Sequence, residues 1–265
     1  MISRMKCCIK KDMLEALRTG KVTLFVILAF GIGVLIMLFS VIFSDIPDSL
    51  MAELPGLDIS SLEDMMSVLY PKRVRESVAV FGYYIGFFYS LITILVCNGM
   101  LPKERKNGKW ILPVQQGYEG RDFITGKCLV YGGLAGISVF ASMLVYYLVA
   151  STFMLRNMSF GNGLVLALVH GLNIFFILAF TILFSVWFGN GTVAAISMIG
   201  TVLFVPDIMR YLTIGRFLPT YMLTFVYDGM DTYSELVIPL ILNIVLLLLT
   251  YILAVRKVEK NKNIL

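Results

Sequence analysis

Charge is the scarcest property of this sequence. Only 15% of its 265 residues are Asp, Glu, Lys or Arg, where soluble domains carry about 25%. Histidine occurs once, as His170, cysteine four times and tryptophan twice. One histidine leaves no material for a Ser-His-Asp triad, an HExxH zinc site or a multi-histidine metal site. Paired carboxylates and Cys-His pairs are missing as well, so an enzyme acting inside the membrane is the least supported class. No metal or cofactor site is expected in the chain. A P-loop is also lacking. Gly120 to Cys128 has one residue too many between its glycines, Cys128 stands where a magnesium-binding Ser or Thr belongs, and no strand precedes it.

The cysteines are few and one-sided. Cys7, Cys8, Cys97 and Cys128 all fall in, or at the edge of, the basic segments described below, so none is placed for a disulfide in an outside loop. Cys7-Cys8 reads as two free thiols, since no metal-ligand partners are spaced around it.

What the chain has is apolar length. Hydrophobic residues make up 58%, gathered in stretches 22–44, 78–101, 128–155, 164–188, 192–205 and 236–255. All but the fifth reach the roughly 17–25 residues needed to cross a bilayer as a helix. Backbone in lipid must satisfy its own hydrogen bonds, and the alternation of a barrel strand is absent, so the spans are read as helices. The first stretch exceeds the roughly 7–15 residue core of a signal peptide. It is expected to be a retained span. The predicted fold class is therefore all-α: a single polytopic domain over 1–265 with six transmembrane helices.

Positive charge orients it. Residues 1–21, the link 102–127 and the tail after 255 together carry sixteen of the 22 basic residues. Both termini are thus predicted to be cytoplasmic, and the +5 net charge becomes an asymmetry across the membrane that invokes no nucleic acid. Within 1–21, Met5, Ile9, Met13, Leu14 and Leu17 recur at helical spacing between Lys and Arg. This is either an interfacial amphipathic helix or a plain basic flank. The outside loop 45–77 is acidic, with one short helix expected over Ser60 to Leu69. Segment 206–235 mixes Arg210, Arg216, Asp228 and Asp231 with apolar groups. It reads as a re-entrant outside hairpin before the last span, or as a surface loop after a span that is simply tilted or extended.

Three sets of residues stand out. Gly82/Gly86 and Gly132/Gly136 form GxxxG pairs, and Gly191/Ala195 a weaker one. His170, with Asn173 near it on the same helix, is a candidate on a substrate path or proton relay; the plain alternative is a neutral imidazole bonded between helices. The link 102–127 is long, basic and aromatic, with Trp110, Tyr118 and Phe123, which suits a docking surface.

The order of motifs resembles the permease subunit of ABC-2 type ABC transporters. Lys11-Asp12-Met13-Leu14-Glu15-Ala16-Leu17-Arg18 stands where that family carries K-E-L-x-x-x-x-R before span one. Glu104-Arg105-Lys106-Asn107-Gly108-Lys109 resembles its E-R-E-x-G-T, and Thr125-Gly126-Lys127 its L-G-K before span three. The family's Pro-x-Ser-Arg is missing, and Gly120-Arg121-Asp122 stands nearest to it. The resemblance implies a multi-pass subunit of a bacterial cell membrane. It would pair with an identical or sister permease and dock on two copies of a separate ABC ATPase, which would bind the ATP and Mg. Its transport would be outward, and the apolar walls suit a hydrophobic or amphiphilic peptide, drug or lipid-like substrate. The coupling residues so implied are Glu104, Arg105, Gly108, Trp110, Arg121 and Lys127. An ion-driven secondary transporter is the alternative, but no internal repeat is visible and His170 is the only ionisable group inside a span.

Overall fold

A computed structural model describes residues 2–44, 73–155, 157–210 and 236–260. The expected helix at Ser60 to Leu69 and most of the expected hairpin, residues 211–235, lie outside them. The described chain is helical. Its only extended pairing is a single bridge between Arg73 and Leu155.

Helix α1 covers Ile2–Arg18 and α2 covers Lys21–Ser44. The next long helix has three parts, α3 (Val74–Tyr84), a π-helical turn (Ile85–Tyr89) and α4 (Ser90–Cys97). The link follows as α5 (Met100–Lys106), α6 (Ile111–Gln115) and α7 (Gly120–Lys127). A second π-helical turn, Cys128–Gly132, joins α7 to α8 (Gly133–Phe153). Then come α9 (Phe160–Phe188), α10 (Gly191–Arg210) and α11 (Val237–Lys260).

Among the described residues, five helical stretches are long and apolar enough to cross a membrane: Lys21–Leu38, Val74–Lys106, Gly120–Phe153, Phe160–Phe188 and Val237–Lys260. Their outward faces leave Ile27, Ile137, Leu168 and Leu248 largely uncovered. So large an apolar surface suits lipid rather than water. The apolar part of α10 is shorter, Gly191–Val202. Its helix does not stop at Val205 but continues to Arg210. Pro206 removes one backbone N–H, which membrane helices tolerate where neighbouring groups compensate.

Helix α9 is the axis of the bundle, buried along most of its length. Ser159 caps its start, its Oγ accepting from the Asn162 N–H at 3.3 Å. It crosses α8 closely, because a Cβ on Gly136 would come within 2.7 Å of the Gly171 carbonyl oxygen, and one on Gly171 within 2.8 Å of the Gly136 oxygen. The span-three GxxxG is therefore used inside the chain, with Gly132 against Phe175. Phe81 stacks on Tyr146 at 4.4 Å, and the Tyr146 and Ser77 hydroxyls are hydrogen-bonded.

The ends of the bundle are distinct. At one, the Val74 N–H donates to the Leu155 carbonyl at 3.2 Å, and the Arg75 N–H to Asn157 Oδ1 at 3.0 Å. At the other the basic segments meet. Arg4 donates to the Gly117 carbonyl, Lys257 to the Trp187 carbonyl, and Gly99 lies against Gly191.

Candidate functional site

The site is the link and what it is fastened to. Gly99, at φ 66°, follows the end of α4 and starts α5. A Cβ on its neighbour Gly191 would lie 2.3 Å from the Gly99 Cα, so the two backbones touch. Helix α5 closes through Gly108, at φ 69°, where the left-handed backbone favours glycine. The chain then turns back, with the Lys109 N–H donating to the Glu104 carbonyl at 3.0 Å. Glu119 and Asp122 form a reciprocal cap that starts α7. Arg121 pairs with Glu119 at 2.6 Å.

The link's aromatic rings face inward. Trp110 and Phe123 stack at 4.6 Å with an interplanar angle of 11°. Each is 2% exposed, so these rings bind α7 to the segment before α6. The indole N–H of Trp110 reaches Glu104 Oε2 at 3.5 Å.

Lys127 is the centre of the arrangement. It is 1% exposed, yet its ammonium lies 2.9 Å from Glu104 Oε1, 3.2 Å from Asp12 Oδ1 and 3.6 Å from Glu15 Oε2. Lys11 adds a second cation, 3.3 Å from Asp12 and 3.9 Å from Glu104. The three carboxylates lie within 4.8 Å of one another, a spacing that also suits a metal ion. Here the Lys127 ammonium already sits among them, which removes the need for another cation. Burial, the dominant influence, raises the Asp12 pKa above 3.8 against the pull of Lys127 and Lys11. Burial, with Asp12 and Asp122 adding to it, pushes the neighbouring Cys8 thiol up to about 11. That thiol is therefore inert at neutral pH.

Helix α1 is accordingly a packed element. Its buried positions are Cys8, Asp12 and Ala16, one stripe at a spacing of four. Gly126 admits them, since a Cβ there would come within 2.9 Å of Asp12 Oδ2. Met13, Leu14 and Leu17 remain exposed beside the apolar bundle, as a helix at a lipid surface would leave them. The far end of the chain joins in at Gly120, where an added Cβ would meet Val258 Cγ1 at 2.3 Å.

Of the residues predicted from the sequence, Glu104, Trp110 and Lys127 come together in this cluster. Arg105 and Gly108 are half-buried on the outer side of α5, and Arg121 is half-buried at the start of α7. Arg105 and Lys106 border a groove of about 370 Å³ with Leu101, Val186 and Val258. His170 and Asn173 sit elsewhere, inside the bundle. A Cβ on Gly82 would lie 2.8 Å from His170 Nε2. Neither that nitrogen nor Asn173 Nδ2 has a hydrogen-bond partner among the described residues. The bonded interhelical imidazole is thus not seen at Nε2. Asp12 and Glu15 join the cluster as well, although the sequence alone gives them no site role. Their signal was an acidic pair, one helical turn apart, in an otherwise basic segment.

Compared with known proteins, the chain matches no family model, no curated protein and no solved structure.

Proposed function

We propose that this chain is the membrane subunit of an ATP-binding-cassette exporter, crossing the membrane six times with both termini in the cytoplasm. The observation that carries this reading is Lys127. Its buried ammonium fastens both ends of the link to the amphipathic N-terminal helix. Surface loops that merely join spans need no such fastening. A segment that receives force from a partner does, because a loose one dissipates the motion before it reaches the helices.

In this reading Glu104, Trp110 and Lys127 keep the link rigid, while Arg105, Gly108, Arg121 and the groove beside Lys106 face the ATPase. The spans on either side of the link carry the tilt into the bundle, aided by α11 at Gly120. A second permease, identical or sister, completes the path, and ATP and Mg belong to the ATPase subunits. The substrate is hydrophobic or amphiphilic. His170 and Asn173, buried in the bundle with Nε2 and Nδ2 unbonded among the described residues, suit its passage.

The test is co-purification of the full chain with a separately encoded ABC ATPase. Arg105→Glu with Lys106→Glu should abolish the complex and ATP-driven transport while leaving the chain monodisperse. An ATPase that stays bound after both charge reversals sinks the coupling assignment. The buried His170, its Nε2 unbonded among the described residues, also admits an ion-driven transporter. Transport in proteoliposomes that runs without ATP but stops when an ion gradient is collapsed selects that reading instead.

A further inference from the structure

A second cleft, of about 260 Å³, opens at the link end of the bundle. That volume lies just below the roughly 300–1,000 Å³ of drug-sized sites and suits a headgroup fragment. Lys21, Lys103 and Lys109 line it, together with Val96 and Met100. Glu15 and Glu104 also border it, but both are turned to Lys127, at 3.6 Å and 2.9 Å. Lys21 also lies over the Tyr131 ring, 5.0 Å from its centre. Lys103 and Lys109 form no ion pair among the described residues. The cleft therefore presents a surplus of positive charge.

Its depth narrows the occupant. Lys21 immediately precedes the first apolar stretch, and Lys103 follows closely on the end of the second. Lys21 and Lys103 thus flank the ends of two apolar segments, where lipid headgroups would lie, and Val96 and Met100 line the same cleft. A soluble anion would use the lysines and leave Val96 and Met100 without a role. We propose that this cleft binds an anionic phospholipid from the leaflet on the link side, its phosphate held by Lys21, Lys103 and Lys109 and the start of its chains against Val96 and Met100. Basic pockets between helices at a membrane surface recognise lipid phosphates in this way. The inference rests on the chain being embedded in a membrane, not on the exporter reading.

The experiment is native mass spectrometry of the full chain in detergent, titrated separately with phosphatidylglycerol, phosphatidylcholine and inorganic phosphate. Phosphatidylglycerol should be retained in preference to phosphatidylcholine. Lys103→Gln and Lys109→Gln should each weaken it about fivefold, corresponding to about 1 kcal/mol per lysine near an anionic lipid. Lys109 is exposed, so its replacement leaves folding intact, and Lys10→Gln on the open face of α1 should change nothing. Equal retention of the two lipids overturns the proposal, as does unchanged phosphatidylglycerol binding in both lysine variants. Inorganic phosphate binding as tightly as the lipid overturns it too, in favour of a free-anion site.

Discussion

Lys127 and Glu104 join the last helix of the link to its first, ammonium to carboxylate at 2.9 Å, with neither group open to water. Removing the cation leaves Glu104 and Asp12 buried, with only the half-exposed Lys11 beside them, 3.3 Å from Asp12 and 3.9 Å from Glu104. Lys127→Met is expected to destabilise the chain by about 3–5 kcal/mol, the range for breaking one partner out of a buried pair. Glu104→Gln should cost less, because Lys127 keeps Asp12 at 3.2 Å. Combining the two substitutions should recover part of the loss. Thermal unfolding of the four proteins in detergent checks this; strictly additive effects would show that the groups do not interact.

Asp12 gives the cluster a pH signature of its own. Its folded pKa lies above the ordinary 3.8, chiefly through burial. The folded chain thus holds this proton more tightly than the unfolded one. Between 3.8 and the raised value, folding takes up a proton, so the Asp12 contribution to stability declines as pH rises through that window and is level above it. Asp12→Asn removes that slope. Melting temperatures measured from pH 3.8 to neutrality should fall away more with rising pH in the native chain than in the variant, and parallel curves would refute it.

The glycines separate into tight and open sites. Gly136→Leu drives a side chain into the Gly171 carbonyl, 2.7 Å from where its Cβ must stand. It should cost about 1–3 kcal/mol through overpacking. Gly86 belongs to the other GxxxG pair, and a Cβ there meets nothing within 4 Å. Gly86→Leu should stay within about 0.5 kcal/mol, as surface changes do. Equal losses in the two variants would mean that the α8–α9 crossing is looser than its geometry.

The helical bundle was legible because lipid acts on each segment independently: a run such as 164–188 must satisfy its own backbone wherever its neighbours lie. The packed face of α1 was not legible. Apolar spacing picked out Met13, Leu14 and Leu17, which stay exposed, whereas the stripe that packs contains Asp12. A buried carboxylate is recognisable only with its counter-ion, and Lys127 is remote in sequence. The role of Trp110 was hidden for the same reason. An aromatic ring in a basic link reads as a docking contact until Phe123, from a different helix, is found stacked on it. The end of α10 was left open between a hairpin and an extended span, because its apolar run stops before its helix does, which continues through Pro206 to Arg210.

Trp110 offers the most direct reading of the link's integrity. It is 2% exposed, against 48% for Trp187, the only other tryptophan. In Trp187→Phe the remaining emission should be blue-shifted and shielded from aqueous quenchers, since Trp110 lies between Phe123 and the Glu104 carboxylate. Trp110→Ala removes the stack and should cost about 3–5 kcal/mol, the usual range for a buried aromatic. The loss should be local first, with protease cutting between Gly108 and Gly117 accelerated before the apolar helices unfold, because those helices pack without it. Red-shifted, readily quenched Trp110 emission in the intact chain would mean that the link is open, and the rigid coupling argued from Lys127 would fall with it.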